Sequence, residues 1–283
     1  MLLLADSGGT KAQWRVLDAG RVVCEVITNG IHPTFQDSET MKQLLVTALL
    51  PELTKISKSI DKVAFYCAGY SSSERMKRVD DALASVFPEA TIFAYHDLLG
   101  AAHATCGKES GMAAILGTGS SSCLYNGKEI IHHVPSLAFA LGDEGSGAAI
   151  GKEWLRAYFY GEVPKDLATS FYTEFQPDKD EVIRRVYQVP MPNAFLASFC
   201  PFLSANLDHS FVSHLVTECM DEFIKRQIMK YEGHQVLPLH CVGSVAWYFR
   251  DILKVATENH GVHLGKVLQS PMDGLVDYWK DEG

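Results

Sequence analysis

Two short glycine-rich turns carry side chains that suit the binding of an anion. The first reads Asp6-Ser7-Gly8-Gly9-Thr10-Lys11 and the second reads Leu116-Gly117-Thr118-Gly119-Ser120. Glycines let backbone N–H groups approach phosphate oxygens, Thr10 and Lys11 add donors, and the Asp6 carboxylate suits a hydrated magnesium ion. Either turn alone is equally compatible with an ordinary tight hairpin. Because both follow a predicted strand in comparable settings, the pair favours a nucleotide phosphate site.

A carboxylate, Asp97, stands between the two turns, where a predicted strand ends and a helix of small residues begins. One interpretation makes Asp97 the N-cap of that helix, accepting a hydrogen bond from a free backbone N–H. The other makes it a general base that takes the proton from an attacking hydroxyl. The local sequence by itself favours the cap. The two interpretations are compatible, and the two flanking glycine-rich turns favour the general-base interpretation.

Two further segments contain polar or small residues at predicted strand-to-helix boundaries. In the segment 141–147 the Asp143 carboxylate suits hydrogen bonds from sugar hydroxyls, but it equally suits the positive end of the following helix. Gly243 and Ser244 follow the apolar run 239–242, and their small size lets an adenine or a ribose lie against the backbone. Taken alone, that pair is an ordinary strand-to-helix turn.

The elements that position these segments follow one order twice. In the first half, the predicted strands are 2–5, 11–17, 21–27, 63–67 and 90–95. The predicted helices are 38–60, with a break at Pro51, and 76–87. In the second half, the predicted strands are 113–116, 121–125, 129–133 and 236–242, and the predicted helices are 148–160, 182–187, 203–229 and 247–256. We therefore predict an α/β protein with a mixed five-stranded sheet flanked by helices in each half. The predicted domains are 1–108 and 109–283, hinged near residues 106–110, with the last helix packing back on the first domain.

Composition excludes several classes of protein. The net charge of -9 argues against a nucleic-acid partner, and no apolar run approaches the roughly 18–20 residues of a membrane span. The opening Met1–Leu4 run lacks a basic flank, which argues against a signal peptide. Seven cysteines without a CxxC pair favour free thiols over disulfides or zinc. We expect a soluble, cytoplasmic protein that acts on a small molecule, and the sequence leaves homodimerisation open.

Taken in order, these segments resemble the phosphate-1, connect-1, phosphate-2, sugar-contact and adenosine motifs of the superfamily that joins sugar kinases, actin and heat-shock ATPases. The resemblance spans nearly the whole chain. Within the superfamily, the segments DSGGTK, HDLLGAAHA, LGTGSSS and LGDEGSG are most similar to the N-acetylglucosamine kinase type and the wider Bad/Bcr ATPase family.

The resemblance implies two ribonuclease H-like domains of the actin-like ATPase type with a ligand cleft between them. It implies ATP and Mg²⁺ as cofactors, Asp97 as the catalytic base, Asp6 as the magnesium organiser through water, and phosphorylation of N-acetylglucosamine or a related amino sugar or hexose. The ATP contacts that it implies are Gly8, Gly9, Thr10, Lys11, Gly117, Thr118, Gly119, Ser120, Gly243 and Ser244. The implied substrate contacts are Asn29, Gly30, His32, Gly69, Ser71, Thr118 and Asp143.

Three departures from the family pattern bear on the substrate. His32 stands where the family usually has asparagine, Ser244 replaces the second glycine of the adenosine turn, and the segment 133–140 lacks a Gly-Gly pair. Two alternative functions stay open. One is an ATPase that drives a partner enzyme, although the clustered cysteines of that branch have no counterpart here. The other is a non-catalytic sugar sensor, against which the intact Asp6, Asp97 and phosphate turns argue.

Overall fold

The computed structural model describes residues 1–282, which form two compact units. The first unit contains residues 1–109 together with the C-terminal segment from Ser270, and the second unit is Ser110–Gln269. The sequence placed the division after residue 108 and assigned 109–283 to one domain. The structure instead groups residues 270–282 with the first unit. Gly283 lies outside the described residues.

A mixed five-stranded sheet forms the centre of the first unit, in the order β3-β2-β1-β4-β5. Its strands are β1 (Leu2–Ser7), β2 (Lys11–Asp18), β3 (Arg21–Asn29), β4 (Lys62–Cys67) and β5 (Thr91–His96). β2 and β3 run antiparallel, whereas β4 and β5 run parallel to β1. Ser7 is paired with Cys67, and Cys67 is paired with His96. The carboxyl ends of β1, β4 and β5 therefore meet at one edge of the sheet.

The sheet of the second unit has the order β10-β9-β6-β7-β8. Its strands are β6 (Ser110–Leu116), β7 (Ser120–Asn126), β8 (Ile130–His133), β9 (Leu239–Val242) and β10 (Leu264–Leu268). β6, β7 and β8 form an antiparallel meander, and β9 and β10 run parallel to β6. The predicted α/β class with two mixed five-stranded sheets is confirmed.

Helices cover both sheets. They are α1 (Ser38–Leu44), α2 (Leu50–Leu53), α3 (Ser73–Val86), α4 (Asp97–Thr105), α5 (Ala138–Leu141), α6 (Gly147–Phe159), α7 (Lys165–Phe175), α8 (Lys179–Tyr187), α9 (Pro192–Ala197), α10 (Cys200–Ala205), α11 (Ser210–Arg226), α12 (Ser244–Tyr248), α13 (Arg250–Asn259) and α14 (Met272–Trp279). A π-helical turn, Leu45–Leu49, joins α1 to α2, and Pro51 lies in the first turn of α2, where a missing N–H is tolerated.

Several boundaries differ from the sequence prediction. α3 begins at Ser73 because the Ser72 side chain caps it by accepting a hydrogen bond from the Arg75 N–H. The predicted helix 203–229 is two helices, α10 and α11, and the predicted last helix 247–256 is α12 and α13. β10 and α14 were not predicted. β10 is short, and its register with β9 shifts between Leu264 and Val267.

Each unit has an apolar core of its own. Leu3, Trp14, Met41, Phe65 and Leu83 lie in the core of the first unit. The core of the second unit includes an aromatic cluster of Trp154, Phe171, Phe199 and Phe202. Among residues 1–282, no cysteine is joined to another in a disulfide bond. Within residues 1–282, the helices are too short or too polar to cross a membrane.

Candidate active site

Asp6 and Asp97 lie at the sheet edge where β1 and β5 end. Burial, and after it the charge of Asp97, raises the pKa of Asp6 to about 7, while Lys11 acts in the opposite direction. The two carboxylates are therefore close enough to repel one another. A divalent cation would relieve that repulsion, and carboxylate oxygens are the protein ligands that Mg²⁺ prefers. The residues present fit a magnesium ion held by one carboxylate.

Asp97 is the first residue of α4, and the N-cap is His96. The His96 Nδ1 atom lies 3.1 Å from the Leu98 backbone nitrogen and accepts its hydrogen bond. The prediction that Asp97 caps the helix is wrong, because the neighbouring imidazole fills that role. Asp97 Oδ1 lies 2.8 Å from His96 Nδ1, and its side chain is 25% exposed. Its carboxylate is thus available for chemistry other than capping.

The first glycine-rich turn is tied to the residues that follow β3. The Gly8 N–H donates to the Lys11 carbonyl at 3.0 Å, and the Gly30 N–H donates to the Thr10 carbonyl at 3.1 Å. A Cβ atom on Gly30 would lie 2.2 Å from the Gly8 carbonyl oxygen, so only glycine permits this approach. Gly8, Gly9, Thr10 and Lys11 remain exposed. Apart from the Gly8 N–H, which is bonded to Lys11, the donors of this turn are therefore accessible to an anion.

The turn around Asn29 to His32 is fixed from both sides. The buried Ser7 hydroxyl accepts from the Ile31 N–H at 2.8 Å, and it lies 3.1 Å from the Ile31 carbonyl oxygen. The His32 N–H donates to Gln36 Oε1 at 2.9 Å, and the Gln36 amide donates back to the Gly30 carbonyl at 3.1 Å. These bonds hold the predicted sugar-contact turn rigid beside the phosphate turn.

His32 packs on Gly69, which follows β4. Gly69 has φ +79°, and a Cβ there would lie 2.7 Å from His32 Cε1. Burial lowers the pKa of His32 and Arg75 lowers it further, while Asp97 acts in the opposite direction. The imidazole is consequently neutral near pH 7. Ser71 lies in the same loop, with its hydroxyl 3.4 Å from the Gly69 carbonyl.

In the second unit, the turn between β6 and β7 is joined to the start of α6. The Gly147 N–H donates to the Gly117 carbonyl at 2.8 Å, and the Ala148 N–H donates to the Thr118 carbonyl at 3.1 Å. Gly117 is half-buried, and Thr118 is exposed. These backbone hydrogen bonds hold the turn in place and leave Thr118 facing solvent.

Asp143 contacts this turn. A Cβ on Gly119 would lie 2.9 Å from Asp143 Oδ2. Burial raises the pKa of Asp143, although hydrogen bonds from the Ser120 backbone and from the Ser136 hydroxyl oppose the rise. The Ser120 hydroxyl itself accepts from Gln227 Nε2 at 3.1 Å and is buried. In this arrangement Ser120 orients Asp143 rather than presenting its hydroxyl to a ligand.

An apolar pocket of about 550 Å³ opens beside the same turn. Gly243 has φ +124°, and a Cβ there would lie 2.3 Å from the Leu116 carbonyl oxygen, so the glycine lets Ser244 reach the turn. The pocket is lined by Gly117, Thr118, Ala194, Ala197, Ser198, Cys200, Pro201, Ser204, Ala205, Ser244, Val245, Tyr248 and Phe249. Its size and its small, apolar lining suit an adenosine group.

The sequence did not identify the pocket residues on α9 and α10. Small residues recur there, as Ala194, Ala197 and Ser198 and again as Ser204 and Ala205. The spacing of Ala194, Ala197 and Ser198 places these three on one face at α9, and Ser204 and Ala205 end the next helix, α10. A stripe of small residues is common in helix packing, however, and only the fold places this one opposite Gly117.

A larger depression of about 820 Å³ between α6 and α11 contains none of the predicted site residues. Its charged side chains largely pair with one another, as Arg226 does with Glu222 and as Arg156 does with Glu153. The smaller pocket therefore suits a nucleotide better than this depression does. Among residues 1–282, no group of three or more His, Cys, Asp or Glu side chains forms a metal cluster.

The predicted residues fall into two sets. Asp6, the turn 8–11, the turn 29–32, Gly69 with Ser71, and Asp97 belong to the edge of the first sheet. The turn 117–120, Asp143, and Gly243 with Ser244 belong to the second unit. Each set is compact within its own unit.

The chain is similar to two solved structures that are described as candidate N-acetylglucosamine kinases. A crystal structure from Porphyromonas gingivalis, described as a candidate N-acetylglucosamine kinase, matches with a TM-score of 0.95 and 39% identity, covering 99% of both chains. A second candidate N-acetylglucosamine kinase, from Chromobacterium violaceum, matches with a TM-score of 0.77 over 98% of both chains. At 15% identity, this second match supports the fold alone.

A curated sequence relative is the N-acetylmuramic acid/N-acetylglucosamine kinase of Clostridium acetobutylicum. It is 26% identical over 157 residues, which are 54% of this chain and 51% of the relative. The alignment thus spans about half the length of that relative. No family model matches the chain.

Proposed function

The chain belongs to the N-acetylglucosamine kinase family, and from this premise we propose that it transfers the γ-phosphate of ATP to a hydroxyl of N-acetylglucosamine or a closely related amino sugar. The observation that carries the proposal is the position of Asp97. It begins α4 at the edge of the first sheet, its carboxylate is not used for capping, and its charge acts on both Asp6 and His32.

Asp97 is the proposed general base. Its carboxylate accepts the proton of the sugar hydroxyl as the oxygen attacks the γ-phosphorus, a new P–O bond forms, and the bond from that phosphorus to the ADP oxygen breaks. The proton ends on Asp97, and ADP leaves with the electron pair of the broken bond. Asp6 would hold the magnesium ion, which neutralises phosphate charge when bound.

The proposed nucleotide contacts come from both glycine-rich turns and from the apolar pocket. Exposed donors at Gly9, Thr10 and Lys11 suit phosphate oxygens, as do those at Thr118 and Gly119. Gly8 and Gly117 shape the two turns, because their N–H groups donate to the carbonyls of Lys11 and Gly119. The pocket beside Ser244 suits the adenosine. Ser120 contributes by holding Asp143, since its hydroxyl is already bonded to Gln227.

The proposed sugar contacts are Asn29, Gly30, His32, Gly69, Ser71, Thr118 and Asp143. His32 is the departure from the family pattern, and its neutral ring can exchange hydrogen bonds with a hydroxyl or an acetamido group. Asp143 in its ionised form accepts from hydroxyls. We therefore propose a neutral or weakly charged amino sugar as the substrate. N-acetylglucosamine, which the relatives are named for, is the first candidate.

A sugar-panel assay tests this function. Purified protein is incubated with Mg-ATP and, separately, with N-acetylglucosamine, N-acetylmuramic acid, glucose and N-acetylmannosamine, and the phosphorylated sugar is detected by mass spectrometry. We expect transfer to an N-acetylated amino sugar. No phosphorylated sugar from any member of the panel would contradict the proposal, and sugar-independent ATP hydrolysis would point instead to an ATPase that serves a partner enzyme.

A further inference from the structure

One nitrogen atom of His96 makes two contacts that require different protonation states. Nδ1 lies 3.1 Å from the Leu98 backbone nitrogen, which is a hydrogen-bond donor, and 2.8 Å from Asp97 Oδ1, which is an acceptor when ionised. An imidazole nitrogen either accepts through its lone pair or donates through its proton. Nδ1 can therefore satisfy one of these partners fully at a time.

The proton on Nδ1 decides which partner is satisfied. In the neutral ring whose single proton is on Nε2, Nδ1 caps α4 through the Leu98 N–H and makes no hydrogen bond to Asp97. Protonation of that ring in acid adds a proton to Nδ1. With it, Nδ1–H donates a charge-assisted hydrogen bond to Asp97, and the Leu98 N–H loses its acceptor. A hydrogen bond to the charged form of a carboxylate makes that carboxylate a weaker base.

The surroundings of His96 favour its protonated form, in which Nδ1 donates to Asp97. Burial lowers the pKa of His96, but the hydrogen bond and the charge of Asp97 outweigh it, so the pKa lies above its ordinary value. The titratable group paired with His96 on the adjacent strand β4 is Cys67, whose own pKa is raised by burial. Asp6 lies one strand further away, on β1. Asp97 is the charged group that acts on His96.

We propose that His96 is a positioning residue that makes the base Asp97 pH-dependent, releasing the carboxylate when Nδ1 is unprotonated and engaging it when Nδ1 carries a proton. This inference rests on the proposed kinase function. The imidazole is 36% exposed on its side chain, so it can exchange protons with solvent. The enzyme would then lose sugar phosphorylation on the acid side through protonation of His96.

The first test is the pH profile of kcat/KM for sugar phosphorylation. In the wild type we expect an acid limb that falls about tenfold for each pH unit. His96→Asn keeps an N-cap acceptor for Leu98 but cannot titrate, so the acid limb should move to lower pH. An acid limb at the same pH in both proteins would overturn the proposal.

The chain supplies a matched control. His209 also caps a helix, α11, with its Nδ1 atom 3.1 Å from the Phe211 nitrogen, and it lies in the second unit. His209→Asn removes an equivalent imidazole cap far along the chain from Asp97. It should leave the acid limb where it is in the wild type. A shift in this variant as large as that of His96→Asn would show that the effect does not come from the contact between His96 and Asp97, and would overturn the proposal.

A second measurement separates this inference from the kinase function. NMR titration of the histidine ring signals, in full-length protein without substrate, follows His96 directly. We expect the pKa of His96 to fall in Asp97→Asn, because the carboxylate that favours the protonated ring is gone. An unchanged pKa would overturn the inference, whereas absence of sugar phosphorylation in every assay would overturn the proposed function alone.

Discussion

At the scale of residues, neighbouring side chains divide the tasks of building and catalysis. His96 caps α4, so the Asp97 carboxylate is not used for capping. The Ser120 hydroxyl accepts a hydrogen bond from the Gln227 amide, while the Ser120 backbone donates to Asp143. Sequence reasoning assigned the cap to Asp97 because aspartate is the commoner N-cap. Two adjacent polar residues can each fill that role, and only the backbone decides which one precedes the first helical residue.

The contact between Gly69 and His32 yields a prediction about sugar binding. A Cβ at Gly69 would meet His32 Cε1 at 2.7 Å and push the ring from its place. Gly69→Ala should therefore raise the KM for the sugar by roughly tenfold or more, since small displacements at a site are costly. Steady-state kinetics with varied sugar and saturating ATP measure this effect.

Gly107→Ala is the control for backbone strain. Gly107 also has a positive φ, +65°, but a Cβ there has nothing within 4 Å. Both variants should lose about 1 kcal/mol of stability from the left-handed backbone. If Gly107→Ala raised the sugar KM as much as Gly69→Ala does, strain rather than the His32 contact would be responsible.

At the scale of elements, α4 is held at its far end by a buried polar cluster. His103 Nδ1 lies 2.7 Å from the Tyr66 hydroxyl on β4, and the Trp279 indole N–H on α14 donates to the same hydroxyl at 2.9 Å. The His103 ring stacks on Tyr278 at 4.0 Å. The cluster joins α4, β4 and α14, and it thereby fixes the helix that begins with Asp97.

This cluster predicts a loss of stability in acid. Burial lowers the pKa of His103 to about 4, below the roughly 6.5 of an unfolded histidine. The unfolded chain therefore binds the proton more tightly, so the contribution of His103 is complete above pH 6.5 and is lost as the pH falls toward 4. The loss amounts to at most about 3 kcal/mol.

Urea unfolding at a series of pH values measures that contribution as a difference between wild type and His103→Gln. We expect the variant to show a shallower decline between pH 6.5 and pH 4. His214→Gln serves as the control, because His214 is exposed on α11. A His103→Gln profile parallel to that of the wild type would contradict the assignment.

The pocket formed by α9, α10 and α12 predicts where nucleotide affinity arises. Ala205 lines the pocket yet is exposed, so a larger side chain there can occupy the pocket without disturbing the core. Ala205→Phe should raise the KM for ATP about tenfold or more by excluded volume, with the sugar KM unchanged. The exposed Ala84 on α3 provides the control variant Ala84→Phe, and an unaltered ATP KM in Ala205→Phe would rule the pocket out.

At the scale of the whole molecule, sequence was sufficient wherever a feature is local. The glycine-rich turns and the βββ meanders follow from turn residues and apolar periodicity. Both sheets have the expected five strands, although β10 of the second sheet was not located from the sequence. The pocket on α9 and α10 and the return of residues 270–282 to the first unit depend on contacts between distant segments. No local pattern locates them: the last helix, which was expected to pack back on the first domain, was predicted at 247–256, and those residues lie in the second unit. The cytoplasmic location and homodimerisation stay predictions.

The central claim is that Asp97 is the base of a sugar kinase. Its most direct test is transfer of the γ-phosphate from labelled ATP to N-acetylglucosamine by wild type and by Asp97→Asn, with the nucleotide-dependent rise in melting temperature as the control for binding. We predict that kcat falls about a hundred- to ten-thousand-fold in the variant, while stabilisation by ATP persists. Transfer at the wild-type rate by Asp97→Asn would contradict the claim.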